Sequence, residues 1–175
     1  MTLQDRLTSD VTQLTLPDSA RLWVYTANRA LTAQECATVL NRLKEFTESW
    51  AAHGASLSAE FAILLQQIIV LAVDESHQPA TGCSIDSSVS AMKSLSNASD
   101  SLADLDVLDR SWVLYALRAE SAVLERSRLH DFWAMRKAGK VSDEAMIFDS
   151  TVKTLGELRA AGAKRLSDSW HAHMW

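Results

Sequence analysis

The segment from Leu57 to Val73 constrains this chain more than any other. Leu57 to Leu64 and Ile68 to Val73 are two strand-like apolar runs, and Gln66-Gln67 interrupts the stretch between them. Runs of that length read as buried strands, either two adjacent strands or one long strand with a bulge, and a hairpin is preferred. The most apolar part, Phe61 to Val73, falls short of the roughly 20 residues that a membrane helix needs, so no transmembrane span is expected.

Other elements arrange themselves around this hairpin. Arg21 to Thr26 is rich in aromatic and β-branched residues and reads as a first strand. Thr32-Ala33-Gln34-Glu35 is a capping box that opens a helix carrying Cys36, Val39, Leu40, Leu43, Phe46 and Trp50 on one face, with Gly54 as its stop. After Pro79, Ile85, Val89, Met92 and Leu95 recur at helical spacing behind Gly82-Cys83-Ser84. Ser96 to Asp106 reads as a loop, Ser111 to Leu117 as a strand, and Ser121 to Glu125 as its hairpin partner. Ser127 is placed to cap a third helix that Gly139 ends, followed by a short strand at Ala145 to Phe148 and a helical turn at Thr154 to Ala161.

In order these elements give βαββαβ, the split βαβ core of a ferredoxin-like α+β fold, with an extra strand and a C-terminal extension. A single domain is expected: residues 1–20 an N-terminal arm, 21–126 the α+β core, and 127–175 an extension packed on that core. The arm places Leu3, Leu7, Val11 and Leu14 at near-helical spacing, although Pro17 makes a short packed arm as plausible as a helix.

Composition excludes more than it selects. The 175 residues are 47% hydrophobic and 22% charged, which suffices for a core and excludes disorder. Seventeen Lys and Arg against 22 Asp and Glu leave a net charge of −5, which argues against an electrostatic nucleic-acid binder. Cys36 and Cys83 are too few for a disulfide framework and lack C-x-x-C spacing; with no signal-like N-terminus, a reducing cytoplasm is expected. The five glycines are too dispersed for a phosphate-cradling loop, and G-x-x-x-x-G-K-[ST], H-E-x-x-H and G-x-S-x-G are all missing, so P-loop ATP hydrolysis is excluded and no cofactor is implied.

Chemistry concentrates where Asp74-Glu75 ends a strand and Gly82-Cys83-Ser84-Ile85-Asp86 opens a helix. A helix N-terminus offers unpaired amides and a positive dipole end, which favour an anion or a depressed cysteine pKa. Cys83 is thus a candidate nucleophile, with His53 as base and Asp74, Glu75 or Asp86 as orienting carboxylate. Against that stands a simpler assignment in which Ser84 is the N-cap, Asp86 complements the dipole and opposes thiolate formation, and Cys83 is a small hydrophobe. His53 at a helix C-terminus is likewise explained by the dipole alone. His171-x-His173 presents two ligands without a third, so no metal site is expected.

Six tryptophans equal the four Phe and two Tyr combined. Trp50, Trp112 and Trp133 fall on core-facing patterns, whereas Trp23, Trp170 and Trp175 suit a pocket wall or an oligomer interface. The aromatic terminus Ser169 to Trp175 is expected to dock back on the body.

Leu22-Trp23-Val24-Tyr25, Phe46 with Trp50-Ala51-Ala52-His53-Gly54, Val70-Leu71-Ala72-Val73-Asp74-Glu75, Gly82-Cys83-Ser84-Ile85-Asp86-Ser87-Ser88-Val89 and Ser169-Trp170-His171 together resemble a family of small uncharacterised bacterial proteins, common in Bacteroidetes and often labelled "ABC transporter ATPase". The likeness covers nearly the whole chain, and Gly-Cys-Ser-Ile-Asp is its most specific part. The family label conflicts with the missing Walker A lysine. The resemblance therefore implies identity without an activity.

Two expectations follow. One is a non-catalytic module binding a small anionic ligand or a protein partner in a groove of Gly82, Cys83, Ser84, Asp74, Glu75, Trp50, Trp170 and His171. The other is a small thiol or acid-base enzyme using Cys83, His53 and a carboxylate such as Asp86. A ferredoxin-like sheet also offers an edge for homodimerisation.

Overall fold

The computed structural model describes residues 2–121 and 123–174. Helix α1 (Leu3–Val11) opens at a capping box between Thr2 and Asp5 and buries Leu3, Leu7 and Val11, so the N-terminal segment is a regular helix followed by an arm. Strand β1 (Arg21–Thr26) leads into α2 (Ala33–Ser49), whose box pairs Glu35 N with Thr32 Oγ1 and Thr32 N with Glu35 Oε2. α2 stops at Ser49 rather than at Gly54, because Trp50 turns extended (φ −75°, ψ 123°) and starts a small hairpin. That hairpin, β2 (Ala51–Ala52) and β3 (Ala55–Ser56), turns at His53-Gly54, both left-handed with φ 51° and 81°.

β4 (Ser58–Leu64) and β5 (Ile68–Asp74) form the hairpin expected from Leu57 to Val73, in a register running from Ser58 opposite Asp74 to Leu64 opposite Ile68. Its turn holds Leu65 and Gln66 at φ 54° and 56°, uncommon for residues with side chains. Outside contacts hold it there: Leu65 N donates to Asp10, Gln66 O accepts from Leu31 N, and Gln67 O accepts from Ala27 N.

β1 and β4 both run antiparallel to β5, which lies between them, so α2 joins two parallel strands across a third. This is half of the expected βαββαβ arrangement. The second half diverges. After α3 (Gly82–Ser94) and two 3-10 turns within the expected loop, β6 (Trp112–Ala116) joins a separate antiparallel sheet of order β7-β6-β8-β9. Its other strands are β7 (Glu125–Arg128), β8 (Met146–Phe148) and β9 (Ala163–Arg165), interleaved with α4 (Leu129–Lys137) and α5 (Leu155–Ala161). The edge of β1 that a fourth strand would occupy is taken instead by residues 153–155: Leu22 N donates to Lys153 O and Leu155 N to Ala20 O. The chain is therefore α+β with three antiparallel sheets among the described residues, and β6 pairs in the second of the larger sheets rather than beside β1.

β7 lies later than the Ser121 to Glu125 expected. Ser127 belongs to this strand and does not cap α4, whose N-cap is Arg128 without a side-chain bond.

β5 explains its own unbroken apolarity, because both its faces are covered. Ile69, Leu71 and Val73 pack with Val39 and Leu43 of α2 and Met92 of α3. Ile68, Val70 and Ala72 join Leu7 and Val11 of α1, Leu114 of β6 and Leu158 of α5 in a second cluster that both larger sheets share. A third cluster, with Tyr115, Phe132, Ile147 and Leu166, lies between α4 and the second sheet. The arm is tied down by Arg159, which donates to the carbonyls of Leu14 and Leu16, and by Glu60, which accepts from the amides of Thr15 and Leu16. No helix among the described residues is long and apolar enough to cross a membrane.

Candidate functional site

α3 starts one turn earlier than a Ser84 cap would place it. Thr81 is the N-cap: its Oγ1 accepts from Ser84 N, while Ser84 Oγ accepts from Thr81 N at 2.7 Å. Thr-x-x-Ser was present in the sequence as the signal for this box. It satisfies the third amide of the helix and leaves those of Gly82 and Cys83 without an acceptor among the described residues. A Cβ at Gly82 would meet nothing within 4 Å, and both Gly82 and Cys83 are exposed. α3 has no acidic residue in its first turn, where α1, α2, α4 and α5 carry Asp5, Glu35, Asp131 and Glu157. The helix's own first turn thus adds no negative charge at its positive dipole end, where Glu75 engages only the amide of Ala80 ahead of the cap.

Trp50 connects this helix end to the rest of the site. Its indole, 3% exposed, donates from Nε1 to Ser84 O at 2.8 Å and packs against Trp23 and Phe46 with ring centroids 6.1 and 5.1 Å away. The bond fixes the chain leaving α2 against α3, so the β2–β3 turn carries His53 to the start of α3. There Ala51, His53, Thr81, Gly82, Cys83, Ser84 and Ser87 line an open hollow of about 560 Å3. A second groove of about 640 Å3 shares Ala51 and Ser87 with it and continues past Phe46, Ser90 and Ser94. His53, Gly82, Cys83 and Ser84 thus line one hollow, an arrangement the sequence alone left open, with Cys83 exposed, while Trp50 supports them from beneath.

The carboxylates do not join them. Asp74 accepts from Ser76 N, which holds its carboxyl below the usual range. Glu75 pairs with Arg21 at 3.5 Å and accepts from Ala80 N at 2.9 Å, bracing the loop that leads to Thr81. Asp86 is exposed and does not line the hollow.

The C-terminal segment also docks elsewhere. His171 is 5% exposed, lies against Phe132 of α4 and reaches Ser169 Oγ at 3.3 Å, while Arg136 donates to the carbonyls of His171 and Ala172. Burial pushes the His171 imidazole down to about 4, against an opposing pull from Asp149. Trp170 stacks on His171 at 3.9 Å but remains 41% exposed. Neither contributes to the hollow, and Trp175 lies outside the described residues.

Trp112 and Trp133 are half-buried, each beneath a cation, Arg128 and Lys137 respectively, rather than in the core. The other thiol, Cys36, is half-buried, and burial pushes its pKa up. Among the described residues no three His, Cys, Asp or Glu side chains are placed to hold a metal ion.

Chemically, the residues of the hollow supply the Gly82 and Cys83 amides, an imidazole, an exposed thiol and the hydroxyl of Ser87. It suits binding of a compact anion, and its lining holds an imidazole and a thiol but, among the described residues, no carboxylate to orient the imidazole. No family model, curated protein or solved structure matches this chain.

Proposed function

We propose that the protein is a non-catalytic binding module whose ligand, a small molecule or a segment of a partner protein, places a carboxylate or phosphate on the Gly82 and Cys83 amides beside His53. One observation carries this: the two open amides sit at the positive end of the helix whose first turn has no acidic residue. Thermal melting in sodium phosphate, against sodium chloride at equal ionic strength, tests it. A ligand that binds only the folded chain raises Tm in a saturable way. Gly82→Asp sets a carboxylate on the same amides and is expected to abolish the rise. Equal melting in both salts overturns the proposal.

The second candidate is a thiol enzyme, favoured by the shared position of His53 and Cys83. It lacks the third group that usually orients the base. Its test is the pH dependence of iodoacetamide alkylation: a Cys83 that reacts only at high, thiol-like pH rules it out.

Three broader proposals accompany this function. The residues quoted for the small bacterial family support membership in it, and a cytoplasmic setting accords with two unpaired cysteines. The split β1-β5-β4 unit with α2 supports a distant relation to ferredoxin-like sheets. Homodimerisation through a free strand edge would end as a proposal with a monomer in sedimentation at high micromolar concentration.

A further inference from the structure

The edges of the larger sheets are not protected alike. The outer edge of β1 is covered, since Leu22 N donates to Lys153 O and Leu155 N to Ala20 O. In the second sheet both edge strands carry charge, Glu125, Arg126 and Arg128 on β7 and Lys164 and Arg165 on β9, which discourages pairing with another chain. β4 has neither safeguard. Its one charged residue, Glu60, is held by the amides of Thr15 and Leu16, and it contains no proline.

The pairing pattern identifies the groups that this edge leaves open. Ala27 N donates to Gln67 O, one step beyond the Thr26–Ile68 pair, so odd-numbered residues of β5 turn their backbone groups to β1 and even-numbered ones to β4. In the β4–β5 register even faces even, so the amides and carbonyls of Ala59, Phe61 and Ile63 point outward from the edge. None of them has a hydrogen-bond partner among the described residues. This window is bounded at both ends: Leu57 N donates to Trp50 O, and Leu65 N to Asp10. The side chains of Ala59, Phe61 and Ile63 are half-buried.

We infer that β4 pairs antiparallel with β4 of a second copy, centred on Phe61, so that the three-stranded sheet continues across a two-fold axis. This rests on the homodimer reading above and assigns its edge. The open window is symmetric about Phe61, and antiparallel self-pairing therefore fills it completely: Ala59 meets Ile63 of the second copy, Phe61 meets its own counterpart, and each pair exchanges two hydrogen bonds. Glu60 falls opposite Ala62 of the second copy, so no like charges face each other directly. The half-buried Phe61 and Ile63 side chains gain apolar partners across the axis.

Sedimentation combined with amide hydrogen exchange tests the pairing on the unaltered chain. A dimer is expected at high micromolar concentration, with the Ala59, Phe61 and Ile63 amides exchanging freely in dilute protein and becoming protected as it forms. Ala59→Pro removes an outward N–H that makes no bond within one copy, so the internal ladder is kept while the dimer loses two bonds by symmetry. That variant should associate roughly tenfold more weakly, or less tightly still. Should it not fold, the exchange measurement decides alone. A dimer whose three amides exchange as fast as in the monomer, or one that a folded Ala59→Pro leaves as tight, overturns this edge and leaves the homodimer reading standing. A monomer at high micromolar concentration overturns both.

Discussion

Trp50→Phe is the most informative substitution, because one side chain joins the core to the candidate site. Two losses add. The Nε1 bond to Ser84 O disappears, worth about 1 kcal/mol for a neutral pair. That carbonyl is not orphaned, since Ser87 Oγ also donates to it at 2.7 Å, and so the larger penalty for an unsatisfied buried group does not apply. Phe then fills less of the space between Trp23 and Phe46, at a cost of about 1–2 kcal/mol in lost burial and residual cavity. The expected total is about 2–3 kcal/mol, or a Tm lower by about 4–12 °C for a chain of this size. Urea unfolding of the two proteins measures it. With Ser87→Ala added, the carbonyl still accepts the amide one helical turn on, within α3, so the losses of the single variants should come close to adding. A Trp50→Phe cost below about 0.5 kcal/mol, the level of an ordinary surface change, would refute the assignment of Trp50 as the strut of the site.

Further expectations concern pH and packing. Glu35, 6% exposed, is drawn by Arg29 and the Thr32 amide from 4.5 down to about 2, so its contribution is complete above pH 4.5 and is lost as pH falls toward 2. The shift caps that contribution at about 3 kcal/mol, and Glu35→Gln should cost about 2 kcal/mol at pH 7 and almost nothing near pH 2 by urea unfolding. His171 acts in an adjoining window: its folded pKa is about 4 against an ordinary 6.5, so the unfolded chain binds the extra proton and stability falls as pH drops from 6.5 to 4. His171→Gln should flatten that part of the stability profile; an unchanged slope would contradict the burial argument. Gly162→Ala would set a Cβ 2.6 Å from Leu158 O and 2.9 Å from Leu7 Cδ2, and a destabilisation of about 1–3 kcal/mol is expected in thermal or urea melts.

Local physics was readable from sequence wherever one segment determined its own conformation. The capping box at Thr32 and Glu35, the apolar stripe of α2, and the pair of strands flanking Gln66-Gln67 each appear as expected. What the sequence could not disclose is which edge β6 would choose. The edge of β1 is taken by residues 153–155, an association between segments more than a hundred residues apart. Trp112 and Trp133 matched apolar periodicity, yet each sits half-exposed under a cation, because an indole is satisfied by either environment.

The candidate site divides along the same line. His53 and Cys83 meet because a two-residue turn and a helix start are local features brought together by Trp50. His171 docks against α4, where Phe132 offers an apolar wall and Arg136 donates to the carbonyls of His171 and Ala172, and Trp170 stacks on its ring.

The central claim is that the open amides of α3 hold an anion, and an amide NMR titration with inorganic phosphate observes those groups themselves. Saturable downfield shifts are expected at Gly82 and Cys83, accompanied by the His53 ring and absent in Gly82→Asp. Shifts spread evenly over surface amides, or none at Gly82 and Cys83 while phosphate binds elsewhere, would contradict it.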